Sequence, residues 1–118
     1  MGRYTALLFC LVLVSVHPNA SGAHPLTGQE LRDYWGEYSK IQEGQEGNWA
    51  KAGMFIGYVR GVLDALEGTT LCLPDGVPVE YLVKEVALYL QEHQDRSNKN
   101  AGRNLIFDAV RGRFACRR

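Results

Sequence analysis

GYVRGVLD, residues 57–64, lies at the centre of the most helix-like run of the chain, residues 49–67. Apolar residues recur in this run at the spacing of one helix face, namely at Ala52, Phe55, Val59, Val62, Leu63 and Leu66. Gly53, Gly57 and Gly61 fall on every fourth position and therefore share a neighbouring face. Because each glycine inside a helix costs about 1 kcal/mol relative to alanine, we expect another helix to pack closely against Gly57 or Gly61.

The polar and aromatic residues of this run carry two further expectations. Asp64 lies near the predicted end of the helix, where the negative end of the helix dipole disfavours a carboxylate. We therefore expect a partner for Asp64, either an arginine or loop N–H groups just beyond the helix. The large aromatic side chains are expected mostly in the core, with one or two at most at its rim, and the set comprises Tyr58, Tyr81, Tyr89, Trp35 and Trp49.

Three further helices are predicted around this run. The first begins at Gly28, because Thr27 and Glu30 have the spacing of a capping box. The third follows Pro78, a residue suited to the first turn of a helix, and the fourth occupies the region from Ala101 to the closing residues. No stretch alternates with the period of a strand. The sequence therefore predicts an all-α fold, a compact four-helix, bundle-like domain.

The N-terminal part of the chain has the order of a secretory signal peptide. Residues 1–3 carry a positive charge, residues 6–16 are apolar, and residues 18–23 are small and turn-forming. We expect cleavage after Ala23 or Ala20, with an uncleaved membrane anchor as the alternative. The helical domain then comprises residues 24–118. The formal net charge of the chain is zero, so nothing global indicates nucleic acid binding.

The cysteine count points to one cross-link. Cleavage would remove Cys10 and leave Cys72 and Cys116. An even number of cysteines in an exported chain favours a disulfide, with two free thiols or a metal site as alternatives. A metal site is disfavoured because His24 and His93 do not lie at ligand spacing from either cysteine. In the chain-entropy model, a disulfide that closes the loop between Cys72 and Cys116 adds on the order of 4 kcal/mol to the free energy of unfolding.

Motifs of catalysis and cofactor binding are missing from the sequence. It contains no nucleophile elbow, no phosphate-binding glycine loop and no zinc signature. His93 is interpreted as a cation at a helix end, with a general base as the alternative. Asp64 and Asp108 are interpreted as ion-pairing residues, with a catalytic carboxylate pair as the alternative. We therefore expect no enzyme and no cofactor.

Four segments, in order, resemble one known family. FIGYVRGVLDA, residues 55–65, resembles the central helix of the Rap/Tai family of immunity proteins, and it contains Gly57, Tyr58, Gly61 and Asp64. CLPDGV at 72–77, YLQEH at 89–93 and the last helix with its closing Cys116 match the family's later segments. The resemblance covers residues 28–116. Where many family members carry an earlier cysteine pair, this chain has Trp35 and Phe55, and we expect an aromatic contact there.

The resemblance implies inhibition by binding. Such proteins protect bacteria from peptidoglycan amidase effectors delivered by type VI secretion, blocking the active-site cleft with a surface loop, often as a dimer. Two other readings stay open: a small periplasmic chaperone of the acid-stress kind, and an envelope-associated helical domain without a toxin partner. The predicted partner-binding loops are 43–48 and 95–98, and their candidate residues are Glu43, Gln45, Glu46, Asn48, Asp95 and Arg96.

Overall fold

The computed structural model describes residues 24–96 and 99–117, and these residues form four helices. The helices are α1 (Gly28–Gln42), α2 (Trp49–Leu66), α3 (Val79–Glu92) and α4 (Gly102–Phe114). The extended pairings among the described residues are isolated bridges, so the all-α prediction is confirmed. The predicted signal peptide, like Ser97 and Asn98 of the second candidate loop, lies outside the described residues.

The helix starts follow the local sequence. At α1 the capping box is complete, since the Thr27 hydroxyl accepts the Glu30 N–H while the Glu30 carboxylate accepts the Thr27 N–H. The Asn48 side chain accepts the N–H of Lys51 and caps α2. Pro78 is the N-cap of α3 and makes no side-chain cap hydrogen bond, which agrees with the expected proline at this boundary. None of the helices described here is long and apolar enough to cross a membrane.

All four helices contribute to one hydrophobic core. Each helix contributes fully buried side chains, and Leu71 of the α2–α3 connection adds one more. The helical ones are Leu31, Phe55, Val59, Val86, Leu90, Leu105, Ile106 and Val110. The ring centroid of Phe55 lies 5.1 Å from that of Tyr38 on α1. Tyr38 therefore supplies the aromatic contact that was expected from Trp35. Trp35 lies one turn earlier on α1, where the Arg32 guanidinium stands 5.5 Å from its ring.

Both ends of α4 are fixed to other segments, the first by backbone hydrogen bonds and the second by the disulfide. At its start, the Gly102 N–H donates to the Leu26 carbonyl and the Gly28 N–H donates to the Asn100 carbonyl, both at 2.7 Å. At its other end, the predicted disulfide between Cys72 and Cys116 is present, with the two α-carbons 4.9 Å apart. The disulfide joins the α2–α3 connection to the segment after α4, so it links two segments that the chain separates by two helices, α3 and α4.

The glycine face of α2 departs from the expectation. A Cβ built on Gly53, Gly57 or Gly61 meets nothing within 4 Å, and all three residues are exposed. The prediction that Gly57 or Gly61 packs against another helix is therefore wrong within one copy of the chain. Close packing occurs instead at Gly102, where a Cβ would lie 3.2 Å from the Leu26 carbonyl oxygen and 3.3 Å from the Tyr58 ring.

Asp64 also departs from the expectation. Its carboxylate has no hydrogen bond and no ion pair within residues 24–96 and 99–117. The side chain is exposed, so water replaces the arginine or loop N–H groups that the helix-dipole argument required. Exposure screens the dipole and removes the need for a protein partner.

Candidate partner-binding surface

The connection between α1 and α2 is held by one carboxylate. Glu37 on α1 accepts the Asn48 N–H at 2.7 Å through one oxygen and contacts the Lys40 ammonium at 2.7 Å through the other. The hydrogen bond from Lys40 and then that from the Asn48 N–H hold the pKa of the Glu37 carboxyl below its ordinary value. A Cβ built on Gly47 would lie 2.9 Å from the Ile41 side chain, so the backbone there packs directly onto α1. The connection is therefore an ordered turn with a fixed shape.

The polar tip of this turn points into solvent. The predicted binding residues Glu43, Gln45, Glu46 and Asn48 are all exposed. Glu43 accepts a hydrogen bond from the Gln45 amide at 3.3 Å, and neither Glu43 nor Glu46 has an ion-pair partner among the described residues. The tip thus presents two acidic side chains on a fixed backbone.

Trp49 lies directly beside this tip and is not a core residue. It is the first residue of α2, and 76% of its surface is exposed, the largest value for a big apolar side chain in the part of the chain described. The two aromatics expected at the rim are Trp49 and Tyr81, which is 37% exposed, whereas Trp35, Tyr58 and Tyr89 pack against the core. The helical spacing indicates why Trp49 is exposed, because it shares a side of α2 with Gly53 and Gly57, which face open space.

The second candidate loop lies at the other end of the molecule. Asp95 and Arg96 are exposed in the α3–α4 connection, and Asn100 in the same connection is hydrogen-bonded to Gly28 at the start of α1. The first candidate loop, residues 43–48, lies instead after the last residue of α1. Because α1 has 15 residues and rises 1.5 Å per residue, the two loops stand about 20 Å apart. The structure therefore does not bring them together into one site.

A groove runs between α1 and α3. It has a volume of about 530 Å³ and lies over Trp35 and Tyr38 on one side and Val83 and Leu88 on the other, with Ile56 of α2 also lining it. Burial raises the pKa of the Tyr38 hydroxyl above its ordinary value. Leu88 is 43% exposed and Ile56 39% exposed, so the groove is an apolar surface in its own right.

Some of the other charged groups form ion pairs on the surface. Lys51 contacts Asp33 at 2.6 Å, and this hydrogen bond raises the pKa of the Lys51 ammonium. Arg113, near the end of α4, contacts Glu85 at 3.6 Å and also donates to the Tyr81 hydroxyl. His93 stacks on Tyr89 with the ring centroids 4.1 Å apart. No group of three or more potential metal-ligating side chains occurs in residues 24–96 and 99–117.

The fold and this surface define a class of protein: a small, disulfide-linked helical domain whose α1–α2 turn is ordered and exposed. A family model described as Rap1a immunity proteins matches residues 27–116. The chain therefore belongs to the Rap1a immunity protein family, and the resemblance inferred from the sequence is confirmed. Searches among curated proteins and among solved structures returned no match.

Family membership gives the protein an immunity role, exercised by binding a partner effector. The matched span contains all four helices, both cysteines of the disulfide and both candidate loops. The turn before α2 stays a predicted partner-binding loop, and Trp49 was not among its predicted residues. The sequence carried no signal for the exposure of Trp49, because Gly57, two turns further along α2, was itself expected to pack against another helix.

Proposed function

We propose that this protein neutralises a peptidoglycan amidase effector of a type VI secretion system by binding it and covering its active-site cleft. The action is non-catalytic and needs no cofactor. The family match carries the proposal. The ordered turn at residues 43–48 supports it, because a surface element that keeps its shape before binding loses little conformational freedom when it docks.

The place of action that we propose is the periplasm. Residues 1–23 have the charge, apolar run and small residues of a secretory signal peptide. The disulfide between Cys72 and Cys116 supports export, because such bonds persist in oxidising compartments. An inhibitor in this compartment meets the effector where its substrate, peptidoglycan, is located.

We also propose that the protein forms a homodimer through the exposed glycine face of α2 around Gly61, at the end of the helix away from Trp49 and Gly53. Arg60 and Asp64 lie one turn apart on this side, both exposed and without an ion-pair partner among the described residues. A two-fold axis between antiparallel α2 helices would place Arg60 of each copy against Asp64 of the other. Sedimentation velocity tests this: Asp64→Arg should give monomers, and the exchanged pair Arg60→Asp with Asp64→Arg should restore the dimer. A monomeric parent protein would overturn the proposal.

Growth protection is the direct test of the immunity proposal. Cells that express a candidate cognate peptidoglycan amidase effector, a hydrolase directed to the periplasm, should lyse alone and grow when the full-length protein is co-expressed. A variant lacking residues 2–23 should give no protection, because it stays in the cytoplasm. Purified protein should also inhibit peptidoglycan cleavage by the hydrolase in stoichiometric amounts.

Two results would contradict the proposal. One is lysis at the same rate with and without the exported protein, together with no complex in a pull-down. The other is equal protection by the variant lacking residues 2–23, which would place the action outside the periplasm. Weak binding to many unfolded proteins after acid exposure would instead favour the chaperone reading.

A further inference from the structure

We propose that Trp49 is the main anchor of the effector complex: its indole enters an apolar slot on the effector, while Glu43 and Glu46 face basic residues at the rim of that slot. The inference rests on the proposed function and names the surface that carries it. Four observations support it: the exposure of the indole, the ordered backbone that carries it, the open space beside it and the charge around it.

Exposure distinguishes Trp49 from the other aromatic side chains. The protein covers Phe55 completely, yet leaves 76% of the Trp49 surface in water. A solvent-exposed indole gives up the stabilisation that burial of so large an apolar surface provides. Tryptophan is also the residue type most enriched among side chains that dominate binding energy at protein interfaces. An exposed tryptophan is therefore a binding residue whose apolar surface is buried only in the complex.

The backbone that carries Trp49 is fixed before any partner arrives. Asn48, the preceding residue, is held through its N–H by Glu37 at 2.7 Å and through its side chain by the Lys51 N–H at 3.0 Å. Trp49 then begins an 18-residue helix whose next turn is buried at Ala52. The backbone at Trp49 is already ordered, and the tryptophan side chain has only two torsion angles. Binding therefore costs little conformational entropy.

Space around the indole is open. A Cβ built on Gly53, one turn further along α2, meets no atom within 4 Å, so the indole does not fold back over the helix at that point. Ala50 is exposed and small. A partner can therefore approach both the ring and the bare helix surface next to it without displacing any side chain of this protein.

The charge around Trp49 specifies the partner's chemistry. The basic residues nearest in sequence, Lys40 and Lys51, are paired with Glu37 and Asp33. Glu43 and Glu46 are left without ion pairs among the described residues, so the rim of the surface is acidic. Complementarity then requires lysine or arginine around the slot on the effector, and rim charges of this kind govern the association rate.

Isothermal titration of the purified protein with the amidase effector that it protects against in the growth test, called the hydrolase below, tests the inference. Trp49→Ala should weaken binding about 30-fold or more, the effect of losing a dominant interface residue, and Trp49→Phe should recover part of the loss. The melting temperature should stay unchanged because the side chain is exposed. Leu88→Ala is the matched control: Leu88 is a 43% exposed apolar residue in the α1–α3 groove, and its removal should leave the affinity unchanged.

Fluorescence gives a second readout. The chain has two tryptophans, so Trp35→Phe leaves Trp49 as the single indole. Its emission should shift to shorter wavelength when the hydrolase binds, because the indole leaves water. Glu43→Lys with Glu46→Lys should slow association by about tenfold at low salt and have less effect at high salt.

The outcomes separate the two proposals. Binding that Trp49→Ala leaves unchanged, with no emission shift, overturns this inference and leaves the immunity function standing. Weakening by Leu88→Ala instead assigns the partner to the α1–α3 groove and also overturns it. If the parent protein does not bind the hydrolase at all, the proposed function fails, and this inference fails with it.

Discussion

At the scale of single residues, two helical glycines have opposite surroundings. Gly53 lies inside α2 with open space around it, whereas Gly102 lies at the start of α4 beneath Leu26 and Tyr58. We expect Gly53→Ala to raise the free energy of unfolding by about 0.5–1 kcal/mol, because alanine is the better helix former and nothing obstructs its methyl group. Urea denaturation measures this change.

Gly102→Ala is the matched substitution with the opposite expected sign. Its methyl group would approach the Leu26 carbonyl oxygen to 3.2 Å, and that oxygen is fixed by a hydrogen bond from the Gly102 N–H. We expect a loss of about 1–3 kcal/mol, the usual cost of overpacking. Equal denaturation midpoints for the two variants would contradict the packing described for both positions.

At the scale of elements, the disulfide determines how firmly α4 is attached. It joins the α2–α3 connection to the segment after α4 across a sequence separation of 44 residues. Replacing Cys72 and Cys116 together by serine should lower the free energy of unfolding by about 4 kcal/mol at most, because the unfolded chain regains the entropy of an open loop. For a domain of this size that is a large share of the total.

Denaturation of the double-serine variant measures this loss, and the parent protein treated with a reducing agent is its control. Both should unfold at the same lowered urea concentration. A loss well below 1 kcal/mol would mean that the backbone hydrogen bonds from Cys72 to Phe114 and from Cys116 to Thr70 hold this end of the molecule by themselves.

At the scale of the whole molecule, the titrating groups predict how stability depends on pH. The pKa of Glu30 is lowered by hydrogen bonds from Thr27, and that of Glu37 by those from Lys40 and Asn48. In the unfolded chain both carboxyls bind protons near their ordinary value of 4.5, whereas in the folded protein they stay ionised to lower pH. Their contribution is therefore complete above that value and is lost as the pH falls through the folded pKa values.

Thermal unfolding measured between pH 7 and pH 3 tests this expectation. The melting temperature should fall below about pH 4.5, and the fall should be shallower in Glu37→Gln, which has one fewer shifted carboxyl. Lys51 affects stability at alkaline pH instead. Because its pKa is raised in the folded protein, its contribution to stability is complete below the ordinary value of 10.5 and is lost as the pH rises through the folded pKa. A melting temperature that rises on acidification would contradict these assignments.

The sequence by itself determined the elements of this protein. Capping residues, helical periodicity and proline are local signals, and they gave α1 from Gly28, α2 from Trp49 and α3 after Pro78. The cysteine count, read with an export signal, predicted the bond between Cys72 and Cys116. The ordered family segments predicted the immunity family that the match confirms. Each of these inferences depends on neighbours in the chain or on composition.

Only the tertiary structure decided which helix faces are covered. Periodicity shows that Gly57 and Gly61 share a side of α2, but the placement of α1, α3 and α4 leaves that side open and covers Phe55 instead. For the same reason Trp49 lies in water and the two candidate loops lie about 20 Å apart along α1. Burial and distance depend on how whole elements pack, and that packing is a sum over contacts between residues far apart in sequence.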